Sequence, residues 1–213
     1  MFGFDLMSMV AGVPGLIIAL ALHEYAHARV AVAMGDFTPR MMGRLTLNPM
    51  AHIDPVGLLM LLIARFGWAK PVIINPMNFR DPQKGEILVA AAGPAMNFLI
   101  AFLAMTFMMI YTIVFNSRMS VGLHEVMWLI VLYNINFGIF NLIPLPPLDG
   151  SKILMQLFPY DLQYKLQGLE RYSFLIFIVM IATPVMSLIL IPLERLIINV
   201  YASVLQLFFG ILL

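Results

Sequence analysis

The segment His23-Glu24-Tyr25-Ala26-His27 carries two imidazoles four residues apart with a carboxylate between them. On a helix, positions i and i+4 share a face, with Cβ atoms about 6 Å apart. Two imidazoles so placed can hold one zinc ion at about 2.0–2.1 Å. Glu24 stands beside such a metal, where it can take a proton from attacking water and later give it to a leaving amine. Ionisable groups clustered at the end of an apolar helix are costly at membrane depth, which favours a functional role over an interfacial polar cluster. A catalytic zinc takes three protein ligands. No cysteine is present, so the third must be His, Asp or Glu.

After His27 the chain reads Ala28-Arg29-Val30-Ala31-Val32-Ala33, without the third His of a metzincin, and the next Glu is Glu86. The candidates are Asp36, His52, Asp54, His124, Asp149 and Asp161. Asp149 follows Asn141-Leu142-Ile143-Pro144-Leu145-Pro146-Pro147-Leu148, where three prolines break the helix. Non-helical backbone at membrane depth is tolerated only where it is buried in protein or lines a cavity. A carboxylate on such a segment suits a third ligand; an ordinary aspartate in a Pro-Gly turn is the alternative.

The elements that must position these groups are membrane helices. Of 213 residues, 62% are hydrophobic and 11% charged. A soluble domain carries about 25% charged residues. Mean hydropathy is +0.95. The lipid bilayer is therefore the expected surrounding. A net charge of +1 with no basic stripe gives no support to nucleic-acid binding. The N-terminus lacks the basic region of a signal peptide, so the first apolar stretch is expected to be retained.

Charge-free runs at Leu6–Leu22, Ile87–Ser117, Val126–Leu148, Tyr172–Leu193 and Leu196–Leu213 predict about five spanning helices, the first continuing to about Met34. The basic segment between Gly35 and Glu86 contains two strand-like runs, Gly43–Asn48 and Lys70–Asn75. Between these runs Pro55–Ala64 reads as an interfacial or re-entrant helix. Lys and Arg placement puts the N-terminus and the Glu194–Arg195 turn outside, and both basic loops and the C-terminus inside. The expected fold is an all-α polytopic membrane protein with short membrane-associated strands, forming one domain over residues 1–213. Its core would run from about 6 to 154, with two further helices at about 172–213.

The chain resembles the site-2 protease family of intramembrane zinc metalloproteases. The resemblance rests on HEYAH at His23–His27, GRLTLNPMAHIDPVG at Gly43–Gly57, AAGPAMN at Ala91–Asn97 and NLIPLPPLDG at Asn141–Gly150. It implies one zinc held by His23, His27 and Asp149, with Glu24 as catalytic base. Asn141 matches the family asparagine that stabilises the tetrahedral oxyanion. The implied core helices are Leu6–Met34, Ile87–Phe115 and Val126–Leu142, and the implied substrate is the membrane-spanning segment of another protein. With no room for a PDZ-like or nucleotide-sensing domain, it is similar to a minimal form, expected in a prokaryotic cell membrane with its site open to the cytoplasm.

Other features have two readings each. Gly93-Pro94 with Asn97 reads first as a kinked membrane helix with a satisfied Asn, and otherwise as close packing at the site. His52 is either a support for the site or a structural His in a surface turn. Gly43–Asn48 either pairs with an extended substrate or forms a hairpin with Lys70–Asn75. The alternatives to a protease are a membrane transporter, a catalytically inactive binding relative and a membrane zinc hydrolase acting on a small molecule or lipid.

Overall fold

The computed structural model describes residues 6–57, 60 and 69–210. The first helix, α1, is Leu6–Met34. It ends where Gly35 turns to φ +112°, a left-handed conformation that glycine adopts without steric cost. A four-residue turn of helix, α2, follows at Thr38–Met41. Helix α3, Pro82–Phe115, opens with Pro82 at its first position and with the Asp81 carboxylate accepting the Lys84 N–H, and closes on left-handed Asn116. Its 34 residues extend roughly 51 Å, so its polar first turns project beyond the apolar layer. Helix α4, Val121–Asn141, is capped by Ser120. After the proline segment come α5, Asp149–Leu157, α6, Tyr160–Ala182, and α7, Val185–Gly210.

Helices α1, α3 and α4 pack together as a three-helix core. Ala101, Ala104, Ile130, Val131, Ile135 and Ile139 form its buried centre, with Ile198 and Tyr201 of α7 against it. Helix α6 lays Phe177 and Met180 over Leu148, Ile143 and Leu145, covering the proline segment before Asp149.

The all-α polytopic fold is borne out. Among the described residues α1, α3, α4 and α7 are long and apolar enough to cross a membrane, and α6 carries a shorter apolar stretch. The C-terminal helices divide differently from the expectation. The break falls at Thr183-Pro184, where Thr183 is extended, as a residue before proline prefers. Glu194 and Arg195 are not a turn but lie inside α7. Glu194 needs no exposed loop because the Asn136 amide donates to it at 2.6 Å. The end of α7 also corrects the expected placement: Ala202, Leu205 and Gln206 border a cavity of about 590 Å³ together with Arg118 and His124, at the end of the bundle expected to be opposite the C-terminus.

The two strand-like runs do not pair as a hairpin among the described residues. One isolated antiparallel bridge, Ile53 to Ala69, is present. Gly43–Asn48 is tied to its own loop: Gly43 has φ +70°, the Thr46 hydroxyl accepts the Asn48 N–H, and Asn48 caps the short helix Pro49–Ala51. Local side-chain bonds of this kind compete with a strand ladder. Lys70–Asn75 is extended, but its N–H groups go elsewhere, as described below. Residues 55–57 are helical; apart from residue 60, the rest of the expected Pro55–Ala64 helix lies outside the described residues.

Candidate metal centre

His23 and His27 project from the C-terminal half of α1 toward α3, and Asp149 enters from the start of α5. All three are buried. Their ligand atoms converge: His23 Nε2 and His27 Nε2 are 2.9 Å apart, and each lies 3.1 Å from Asp149 Oδ2. Among the described residues this is the group whose ligand atoms could hold a metal ion.

The hydrogen bonds behind the imidazoles fix what they present. Asn97 Nδ2 donates to the Ala19 carbonyl and to Asn134 Oδ1. Asn97 Oδ1 must therefore face His23, and accepts from His23 Nδ1–H at 2.7 Å. The Val89 carbonyl accepts from His27 Nδ1–H at 2.7 Å. With both Nδ1 atoms protonated, the neutral rings turn bare Nε2 lone pairs on each other and on a carboxylate. Three electron-pair donors then face one point. A proton can bridge one pair at a time, whereas a divalent cation satisfies all three. The 2.9–3.1 Å edges are near the ~3.3 Å edge of a tetrahedron of radius about 2.0–2.1 Å, as zinc prefers. Gly93 completes the cradle: a Cβ there would lie 2.5 Å from His27 Nε2 and 2.6 Å from His23 Nε2. These residues fit zinc.

Asp149 is held from its other side. Lys152 Nζ is 3.2 Å from Oδ1, leaving Oδ2 for the imidazoles. Phe137 packs edge-on against the His23 ring, with centroids 5.0 Å apart.

Glu24, His27, Val72, Glu86, Asn141 and Lys152 border a cavity of about 420 Å³ at this centre. Glu24 Oε2 accepts the Val72 N–H at 3.0 Å. Asn141, at the last turn of α4, uses one amide hydrogen on the Phe137 carbonyl at 2.9 Å.

The other candidate ligands lie elsewhere. Asp36 is bonded to Thr38, Asn75 and Asn78. His52 donates from Nε2 to the Thr46 carbonyl inside its loop. Asp54 accepts the N–H groups of Val56 and Gly57. His124 borders the far cavity and Asp161 lies in the first turn of α6. Asn97 is more than a satisfied helix-kink residue, since it orients His23. Its type and depth in an apolar helix were the available signal. The contacts of Val72 and Val89 are made by backbone atoms and leave no mark in residue type.

A protein of Bacillus subtilis named "Putative zinc metalloprotease YwhC" is 39% identical over 180 residues, covering 83% of this chain and 82% of that protein. The model of peptidase family M50 matches residues 104–186. The chain belongs to peptidase family M50, the site-2 protease family. The matched stretch of this M50 peptidase includes Asn141 and Asp149. A second relative, "Putative zinc metalloprotease Rip2" of Mycolicibacterium smegmatis, is 29% identical over 185 residues, 82% of this chain and 68% of its own length. A shorter likeness, 52% over 42 residues, links it to a Streptococcus pyogenes protein named "Putative zinc metalloprotease SPs1691", covering 20% of this chain and 10% of that one. No solved structure matches. This M50 peptidase is a zinc metalloprotease with apolar, membrane-crossing helices.

Proposed function

We propose that this M50 peptidase cleaves peptide bonds within or next to the membrane-spanning segments of other proteins, acting as a single membrane-integral unit over residues 1–213. What supports this is the place of the site within the apolar helices. His23 and His27 lie inside α1, a helix apolar enough to span a membrane, with α3 and α4 closing around them. A site at that depth is reached by a substrate that is itself in the membrane. His23, His27 and Asp149 hold the zinc. When bound, it acts as a Lewis acid toward a carbonyl oxygen and makes water more acidic.

The chain's own groups account for the proton movements. A substrate helix hides its scissile carbonyl in backbone hydrogen bonds, so it unwinds locally in the 420 Å³ cavity. Glu24 has one oxygen fixed by Val72 N–H and turns the other to the cavity. That oxygen takes a proton from the attacking water and gives it to the amine nitrogen as the C–N bond breaks. Asn141 offers its second amide hydrogen to the oxygen on which charge develops. The site opens toward the cytoplasm from a prokaryotic cell membrane.

The test is cleavage of single-span peptides carrying helix-breaking residues by detergent-purified wild type and E24Q, with zinc measured in both. E24Q is expected to keep its zinc and lose activity by at least about 10²-fold. Equal cleavage by the two proteins rejects Glu24 as base, and no cleavage by wild type leaves a transporter or a binding relative as the reading.

A further inference from the structure

Asp36 is a fully buried carboxylate outside the metal centre, with 0% exposure. Its hydrogen-bond partners, Thr38, Asn75 and Asn78, are all neutral donors. Oδ1 accepts from Thr38 N at 3.0 Å, Thr38 Oγ at 2.6 Å and Asn78 Nδ2 at 2.8 Å; Oδ2 accepts from Asn75 N at 2.7 Å. Burying a carboxylate without a cation is expensive. A simple loop anchor could use a neutral acceptor. What the charge adds is a short, stiff bond.

That stiffness acts on one segment. Pro71-Val72-Ile73-Ile74-Asn75-Pro76 is non-helical up to Asn75, alternates exposed and half-buried residues, and is bounded by two prolines. Lys70 and Asn75, each before a proline, are confined to extended backbone, and Asn75 has φ −118° and ψ 101°. The segment is tied at three points: Lys70 N–H to the His52 carbonyl, Val72 N–H to Glu24 Oε2, and Asn75 N–H to Asp36 Oδ2. Val72, Ile74 and Pro76 alternate inward to form one wall of the site cavity. A strand advances about 3.3 Å per residue, so Val72 sits about 10 Å along a rigid strut from Asn75.

We infer that Asp36 is a positioning residue: it fixes the Pro71–Pro76 strut, so that the Val72 N–H orients the Glu24 carboxylate. This rests on the protease reading above. The terminal torsion of a glutamate is broad and two-fold. A donor held at one oxygen removes that freedom and aims the other oxygen at the cavity.

The test is a double-mutant cycle on the peptide that wild type cleaves, using D36A, V72P and the pair. V72P removes the N–H that Glu24 accepts, and V72A, which keeps the N–H, controls for loss of the Val72 side chain from the cavity wall. D36A and V72P are each expected to lower kcat about a hundredfold, the scale of small misplacements at a reaction centre. KM and zinc content stay near wild type. The pair is no slower than the slower single, because both act through one contact. Effects that multiply, or D36A turning over at the wild-type rate, overturn the inference. If D36A fails to fold, D36N replaces it in the cycle, since it retains one acceptor oxygen. A second readout does not need cleavage. The chain has no native cysteine, so an I74C/A90C pair across the cavity can be joined with a short bifunctional reagent. Loss of crosslinking on adding D36A supports the strut, and undiminished crosslinking refutes it. A wild type that cleaves no peptide counts against the protease reading, while the crosslinking arm still decides the strut.

Discussion

Asn97 Oδ1 accepts a hydrogen bond from His23 Nδ1 across 2.7 Å, joining α3 to α1 directly behind the metal-facing nitrogen. The contact fixes the tautomer and plane of the ring, and partners of this kind are typically worth 10–100-fold in metal affinity. N97L is therefore expected to weaken zinc binding by roughly that factor, with N97D, which keeps the acceptor, closer to wild type. Competition with a fluorescent zinc chelator measures it. Equal affinity for N97L and wild type would show that Asn97 only packs.

Gly93 leaves no room for a side chain beneath the two imidazoles, since its Cβ would stand 2.5 Å from His23 Cε1. G93A should push both rings off their common point. The expected outcome is zinc content well below one per chain, with helical content by circular dichroism unchanged. Full zinc occupancy in G93A would mean that α1 and α3 separate easily.

Asp149 and His124 both belong to the residue types that could supply a third ligand, and they lie at opposite ends of the bundle, as the Lys and Arg placement led one to expect. D149A should lose zinc on elemental analysis, whereas H124A should retain it. Zinc retained in D149A would place the third ligand elsewhere.

Asp36 should give stability an acid limb. Burial opposes its ionised form, but hydrogen bonds from Thr38, Asn75 and Asn78 outweigh it and lower the pKa below 3.8. For a depressed carboxylate the stabilisation is present above the unfolded pKa and is lost as pH falls through the folded value. The gap in unfolding temperature between wild type and D36N should be widest near pH 6 and narrow below about pH 4. A gap that stays constant on acidification would contradict this.

The residues with strong chemistry announced themselves in the sequence. His23, Glu24 and His27 did so by helical spacing, whereas Asp149 was one of several candidates and was singled out by the family resemblance. What remained hidden was carried by backbone atoms and by distance along the chain. Val72 reaches Glu24 through an N–H that every residue but proline has. Asn97 looked like a satisfied polar group because its partners, His23 and Asn134, are 74 and 37 residues away. Lys70–Asn75 read as a short strand, and Val72 and Ile74 of this segment face the site cavity. That reading could not say that carboxylates, rather than another strand, would accept its N–H groups. The charges at Glu194-Arg195 suggested a turn because a sequence does not show that Asn136 stands opposite Glu194.

That last pair bears on how α7 sits against the core. In lipid, an apolar helix gains little by choosing one rotation over another, because tails and side chains are equally oily. The Asn136–Glu194 bond, 2.6 Å long, works as a key in a slot. It sets both the azimuth and the depth at which α7 meets α4, and so brings the Tyr201 hydroxyl within 3.0 Å of the Phe98 carbonyl, one residue beyond Asn97. Registry between the catalytic helices and their outer neighbour thus depends on a polar contact rather than on grease.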